Sequence, residues 1–370
     1  MKIVDRYVLW EWFKVFLASM GVTLGILLLH DMYNDLDNLI EYGAGIWRIL
    51  FYYWLLIPSF IPVVLPVSLL ISIIFTLGNF HKNNEITALR AAGMNDLRIT
   101  RSLWFAGFAL SGFLFWINAD AVPASVEKSK TLFINLRHQK EMSESSEDAI
   151  IGKIDLLCFN NRKDSRIWFI SKFGQAAKKA YGVEINIMDE EGREASKILA
   201  KEGVYDDVDQ CWFFSGGQQI FFDEQGSPVR SVNFDKQYYR EFTEDPLIMR
   251  LSMVKPKDLS LYELQRLLNA SGLPDSEAMR PYAVRLASIW ASSFACLIVV
   301  AIAIPFSIAG VRTNPMVGVS KTAGLFFTYF ILDSVFSMLG GSGALPVTLA
   351  VWLPNLVMFI FALYLYRKAI

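Results

Sequence analysis

The segment Asn83 to Thr100, NNEITALRAAGMNDLRIT, carries the densest set of residues whose types and spacing suit work on a partner protein. Asn84 stands where a helix N-cap belongs, and Glu85 follows in the first turn, at the positive end of the helix dipole. Ile86, Leu89 and Ala92 share one face, and Gly93 before Met94 supplies a left-handed terminator. Asn95 or Asp96 then caps whatever helix comes next. The pattern predicts a short helix lying on a membrane surface, with Glu85 and Arg90 free to meet a partner. The same spacing fits an ordinary connecting helix with solvated charges equally well.

A second chemically pointed residue is Asp333, alone in the apolar run Thr322 to Leu339. An acid inside a membrane span is a functional-site hypothesis by default, and Arg285 is the nearest candidate counter-charge at a span edge. Phe326, Phe327, Tyr329, Phe330 and Phe336 crowd the same run, which suits the wall of an apolar cavity or packing on neighbouring helices. No nucleophile, base and orienting group come together, and His138 is the only histidine between residues 121 and 253. No G-x-x-x-x-G-K-[ST] loop occurs, so any ATP-driven work needs a separate subunit. Of the three cysteines, Cys158 and Cys211 suit either one disulfide or two small buried hydrophobes, and Cys296 sits in an apolar run.

The elements that must position these residues follow from hydropathy. Runs long enough to cross a bilayer as helices are Val15 to Leu29 (extended by Val8 to Phe13), Ile49 to Asn79, Leu103 to Ala119, Leu286 to Ile308, Thr322 to Leu339 and Leu345 to Tyr366. The chain reads as three spans, a long polar insert, and three more spans. Its 54% hydrophobic content beside 19% charged residues fits that layout, and a net charge of -1 with no basic block excludes nucleic-acid binding. Lys2, Arg6, Lys14, Lys82, Arg90, Arg98, Arg101, Arg312, Lys321, Arg367 and Lys368 fall on one side, against Arg48 alone in the short loops opposite. The asymmetry places both termini inside and the insert outside. Pro58, Pro62 and Pro66 predict a kinked or tilted second span.

Within the insert, Arg166 to Phe173 and Tyr181 to Met188 alternate, Cys211 to Phe214 and Gln218 to Phe222 flank Gly216-Gly217, and Val229 to Tyr239 follows a turn. Short alternating runs between turn residues predict an antiparallel β-sandwich or open jelly roll serving as a docking module. Ser260 with Glu263 then forms a capping box opening an amphipathic helix whose face is Leu261, Leu264, Leu267 and Leu268.

DRYV at Asp5 to Val8, NEITALRAAGM at Asn84 to Met94, IPFS at Ile304 to Ser307 with Arg312 after it, and WLPN-x-V at Trp352 to Val357 occur in this order along the chain. With the three, insert, three layout, the set resembles the LptF/LptG family of lipopolysaccharide-export permeases. DLDNLIEYGAG (Asp35 to Gly45) and YFILDSVF (Tyr329 to Phe336) look more like LptG. The resemblance implies an α-helical membrane protein of six transmembrane helices with an antiparallel β-jelly-roll-like domain between helices 3 and 4. Its parts would be residues 1–120 with a coupling helix at about 83–95, a periplasmic β-jelly-roll domain at 121–258, and residues 259–370. It implies a permease half of an ATP-driven, ABC-type transporter in the bacterial inner membrane, with no cofactor of its own. The implied partners are an LptF-like permease, a cytoplasmic LptB-like ATPase dimer, a single-span LptC-like protein, a periplasmic LptA-like bridge, and lipopolysaccharide itself.

Residue by residue, the resemblance puts Glu85, Leu89, Arg90, Gly93 and Met94 on the ATPase-coupling helix. It puts Arg137 near the cavity mouth, and Arg285, Phe326, Phe327, Tyr329 and Asp333 are the further candidates for substrate contact. Where LptG-like chains place basic residues beyond the first span, this one has Asn34, Ile40 and Glu41. Two other classes stay open at this point: an ion-coupled secondary transporter, which normally carries paired intramembrane charges, and a non-transporting scaffold with an outer docking domain.

Overall fold

The computed structural model describes residues 3–144, 153–161, 164–174, 179–189, 191–206, 209, 211–223, 225–271, 276–308 and 315–369. Lys2 and Arg312, counted above for orientation, lie outside the described residues. The chain divides into two compact units, 1–140 with 280–370, and 141–279.

The first unit is all helix. The helix α1 (Ile3–Glu41) holds 39 residues and α2 (Ile46–Lys82) holds 37. At about 1.5 Å per residue each is far longer than a hydrocarbon core of about 30 Å, so both project beyond it. The short α3 (Glu85–Ala91) leads to α4 (Asp96–Trp116). From there a π-helical turn (Ile117–Ala121) runs without a break into α5 (Val122–Glu144). Residues 122–140, which the hydropathy reading counts with the outer domain, therefore extend the third span as helix and belong to the first unit. Loss of apolar character ended the membrane run, but nothing in VPASVEKSKTLFINL breaks a helix, since its proline falls at the second position.

The unit is completed by α8 (Arg280–Ser293), α9 (Ala295–Ile308), α10 (Pro315–Ser342) and α11 (Val347–Ala369). Among the described residues five helices are long and apolar enough to span a membrane, and α8 with α9 makes a sixth span bent by 40° at Phe294. The fourth span, read from hydropathy as one run, is thus a broken helix. Pro58, Pro62 and Pro66 all lie inside the unbroken α2.

Without water to expel, helices in a membrane hold together by close packing and small residues at the contacts. The main core joins α1, α2, α4 and α9 through Val8, Trp12, Leu69, Ile73, Leu103 and Val300. At Gly107 of α4 a Cβ would lie 2.7 Å from the Val300 side chain, so glycine sets the distance between α4 and α9. A second cluster joins α9, α10 and α11 through Ile298, Ile302, Tyr329, Met358 and Ala362.

The second unit is one antiparallel sheet in simple sequential order, β1 (Lys153–Asn161), β2 (Arg166–Gly174), β3 (Lys179–Met188), β4 (Glu194–Asp206), β5 (Cys211–Phe222) and β6 (Pro228–Tyr239). The two runs read as flanking Gly216-Gly217 are a single strand, β5. Leu157 pairs with Ile170, Trp168 with Ile185 and Val183 with Ala200, which brings one face of each strand to a common core. Trp168, Trp212 and Phe214 fill that core with Phe242 and Met249 of the following segment. The helices α6 (Pro246–Met253) and α7 (Leu261–Ser271) follow. The capping box forms as read: the Ser260 N–H donates to Glu263 at 2.9 Å and the Glu263 N–H donates to the Ser260 hydroxyl at 3.2 Å. All three cysteines are free thiols, and β1 and β5, which carry Cys158 and Cys211, are separated by three strands.

Candidate functional site

The joint between α2 and α3 is Asn84, whose backbone is left-handed (φ 60°). Its N–H donates to His81 O, ending α2, while its carbonyl accepts from Ala88 N, starting α3. Asparagine tolerates this conformation better than most residues. Its side chain therefore makes no cap, contrary to the reading from spacing. The other end behaves as read: Gly93 has φ +80°, with Gly93 N donating to Arg90 O at 2.9 Å and Met94 N to Leu89 O at 3.1 Å. That pair of bonds is a Schellman closure.

Glu85 and Arg90 are not free. Glu85 accepts from the Tyr7 hydroxyl at 3.0 Å and from Asn83 Nδ2 at 3.4 Å. Tyr7 in turn stacks on Phe80 with centroids 5.4 Å apart. Arg90 donates from Nε and Nη2 to the two Asp96 oxygens at 2.8 and 2.9 Å, a bidentate clasp. Ile86 is completely buried beneath them. A seven-residue helix cannot hold itself together in water. Here it is pinned to α1 through Tyr7, to α4 through Asp96, and to the core through Ile86. Beside it, Arg101 of α4 donates to Asp5 of α1 at 2.6 Å. Open to a partner are a face of small residues, Thr87, Ala88, Ala91 and Ala92, and the outer side of the clasped Arg90, with Leu89 and Met94 half-buried at the edge. Such a site performs no covalent chemistry. It can pass a push on α3 into three long helices at once.

The candidates on α10 separate. Phe326 and Tyr329 are buried in the helix packing, so they are core and not open wall. The Tyr329 hydroxyl donates to Asn355 Oδ1 at 2.9 Å, and Asn355 Nδ2 donates to Ala291 O at 3.0 Å, beside the break between α8 and α9. Phe327 is exposed and continues in an outward row with Ile331, Val335 and Met338. Asp333 is half-buried on α10 and Arg285 half-buried on α8. Arg137 is exposed on α5. Nearby, Glu41 pairs with Lys140 at 2.8 Å and the Tyr52 hydroxyl donates to Asp35 at 3.3 Å, so the acidic end of α1 ties to α5 and α2.

Sequence reasoning missed Tyr7, Asp5 with Arg101, and Asn355. Each acts on a residue far away in the chain, 78, 96 and 64 positions off in the bonds above, and no local pattern signals such a pairing. Among the described residues no group of three or more His, Cys, Asp or Glu could hold a metal ion.

Residues 6–368 match the family described as the lipopolysaccharide export system permease LptF/LptG. Relatives include the lipopolysaccharide export system permease protein LptF of Escherichia coli K12, of Escherichia coli O157:H7 and of Shigella flexneri. Each is 21% identical over 369 residues, covering 98% of this chain and 94% of the relative. An unbroken match from the first span to the last takes in the braced helix, the inserted sheet and both sets of spans. The chain belongs to the lipopolysaccharide export system permease LptF/LptG family, and is a multi-pass permease of the bacterial inner membrane.

Proposed function

We propose that this chain is one permease half of an ATP-driven machine that extracts lipopolysaccharide from the outer leaflet of the inner membrane and passes it to a periplasmic bridge. A homologous permease supplies the other half, and a cytoplasmic ATPase dimer docks on α3. The observation that carries the reading is α3 itself, a short helix braced from three sides with a face of small residues left bare. Glu85, Arg90 and Gly93 set its shape, while Leu89 and Met94 border the docking face. Withdrawing an acylated glycolipid from a bilayer costs about 0.8 kcal/mol per CH₂ exposed. The chain has no nucleotide-binding loop, so that energy comes through the docked subunit.

The Lys and Arg asymmetry directs α3 and both termini to the cytoplasm and the sheet to the periplasm. Phe327 and the row above it, with Asp333, Arg285 and Arg137, form the cargo-facing side of this half. The single-span partner and the bridge would extend the sheet: among the described residues β6 pairs only with β5, and most of its residues are exposed. A strand edge of that kind takes up an added strand through main-chain hydrogen bonds.

Affinity purification of the tagged chain, with Ala88→Arg and Ala91→Arg in the bare face, tests the reading. ATPase recovery should fall at least tenfold while the permease stays in the membrane, and undiminished recovery refutes the docking site. Cys158 is exposed, whereas Cys211 and Cys296 are buried. An impermeant maleimide applied from the periplasmic side should therefore label Cys158, and labelling only after the cytoplasmic side is opened would reverse the topology.

A further inference from the structure

A groove of about 730 Å³ runs between α1 and α4 on the α3 side of the first unit. Its walls are almost wholly apolar, with Trp10, Phe13, Phe16, Phe105, Ala109 and Leu110 among them. From Arg6 to Phe16 it follows eleven residues of α1, about 15 Å, which is half the thickness of a hydrocarbon core. It opens sideways: Trp10 is 61% and Phe105 69% exposed.

The end nearest α3 is basic. Arg6 and Arg101 line it, and Arg98 lies one turn before Ser102 on the same side of α4. Arg101 is neutralised by Asp5 at 2.6 Å. Among the described residues neither Arg6, which lines the groove, nor Arg98, one helical turn beyond the lining residue Ser102, has an ion-pair partner, so two uncompensated positive charges stand at or next to this end. The other charged pair on this part of α1, Glu11 with Lys14, does not line the groove.

Two of the residues that line the groove carry buried polar atoms. Trp12 and Ser102 are 4% and 3% exposed and both line the cavity, yet among the described residues Trp12 Nε1 and Ser102 Oγ have no hydrogen-bond partner. Leaving a buried donor unmet costs about 1–3 kcal/mol, so such atoms point to something outside the chain that accepts from them. Indole N–H can only donate, and the serine hydroxyl can donate as well. A ligand matching this site offers an anionic group at the mouth, acceptor oxygens a few ångströms in, and a hydrocarbon tail about one leaflet long.

We propose that the groove binds an anionic glycerophospholipid of the leaflet on the α3 side. Its phosphate lies at Arg6 and Arg98, its ester carbonyls accept from Trp12 Nε1 and Ser102 Oγ, and one acyl chain lies along Phe13, Phe105 and Leu110. The lipid then touches the same end of α1 whose Tyr7 holds Glu85 of α3. It wedges α1 against α4 beside the joint through which α3 is braced.

The test is native mass spectrometry of the full-length chain released from nanodiscs containing phosphatidylglycerol or phosphatidylcholine. Wild type should retain phosphatidylglycerol preferentially. Arg6→Gln with Arg98→Gln should weaken that retention about tenfold or more, as loss of charge-assisted bonds implies, and leave phosphatidylcholine unchanged. Ser102→Ala, which deletes one oxygen, and Trp12→Phe, which removes the indole N–H with part of the ring, should each weaken it severalfold. Equal retention of the two lipids by wild type, or no change in any variant, overturns the proposal. So does a photoreactive residue at Phe105 that crosslinks to a polypeptide and not to lipid, because a partner helix would then occupy the groove.

Discussion

Glu244 closes one end of the β unit, and removing it should loosen that unit by a calculable amount. Its side chain is 5% exposed and takes Arg166 Nη1 at 3.1 Å, with the Arg166 side chain itself 12% exposed. The same carboxylate accepts from Asn161 Nδ2 at 2.9 Å and Trp168 Nε1 at 3.3 Å. The Arg166 guanidinium also lies 4.5 Å from the centre of the Phe242 ring. In Glu244→Ala a buried guanidinium loses its counter-charge and an indole N–H loses its acceptor. Breaking one side of a buried pair costs about 3–5 kcal/mol. Arg166 keeps its bond to Glu241 O at 2.8 Å, which argues for the lower end. A loss of about 3 kcal/mol raises the population of open molecules roughly 10²-fold. Cys211, buried in β5, reports that opening: in the full chain with Cys158→Ser, its labelling by a thiol reagent should accelerate by that factor. Glu244→Gln retains one acceptor oxygen and should cost only about 1 kcal/mol, near a tenfold effect or less. Adding Arg166→Met to Glu244→Gln should recover part of the loss, because the stranded charge is gone. Equal labelling rates in wild type and Glu244→Ala would refute the reasoning.

Two other outcomes follow. Asn355→Leu removes both bonds that tie α10 to the break in the fourth span and should cost about 1–2 kcal/mol in detergent thermal unfolding; since Tyr329→Phe removes one of the same bonds, the double variant should lose less than the sum, and strict additivity would refute the shared network. In the β3–β4 turn, the backbone N–H of Arg193, then its side chain, hold the Asp189 carboxyl below its ordinary value of 3.8. A depressed acid stabilises above the unfolded value and loses its effect as pH falls through the folded one. The protection factors of the Glu191 and Arg193 amides, that is exchange rates corrected for the intrinsic pH dependence, should therefore fall only below about pH 4, and Asp189→Asn should flatten that dependence.

What could be read from residue order was whatever depends on near neighbours or on composition over a window. Six spans, the alternating strands and the capping box at Ser260 all satisfy that condition. So does the Gly93 terminator, where positive φ favours the one residue without a Cβ. The strands β1 and β4 escape a reading by alternation because Lys153 and Asp155 in the one, and Lys197, Lys201 and Glu202 in the other, interrupt the apolar rhythm, and in β4 the charges stand on the open face, where they cost little. The end of the third span was misjudged for the opposite reason. Helix and membrane thickness are different limits, and a polar helix continues wherever its side chains reach water.

The site itself shows the same division more sharply. Glu85 and Arg90 were visible as charges, but their roles depend on Tyr7 and Asp96, and only folding shows that both are occupied within the chain. That changes what a partner can grip. A helix held by exposed charges invites an electrostatic partner, whose hold weakens with salt. A helix whose charges are already clasped presents shape: a patch of alanines bordered by Leu89 and Met94, pressed from below by the buried Ile86. Force applied to that patch has few soft elements in which to dissipate. The Arg90 clasp carries it to α4, Tyr7 carries it to α1, and the left-handed Asn84 joins it directly to α2. In the docking proposed for α3, Glu85 and Arg90 serve by tying the helix to α1 and α4.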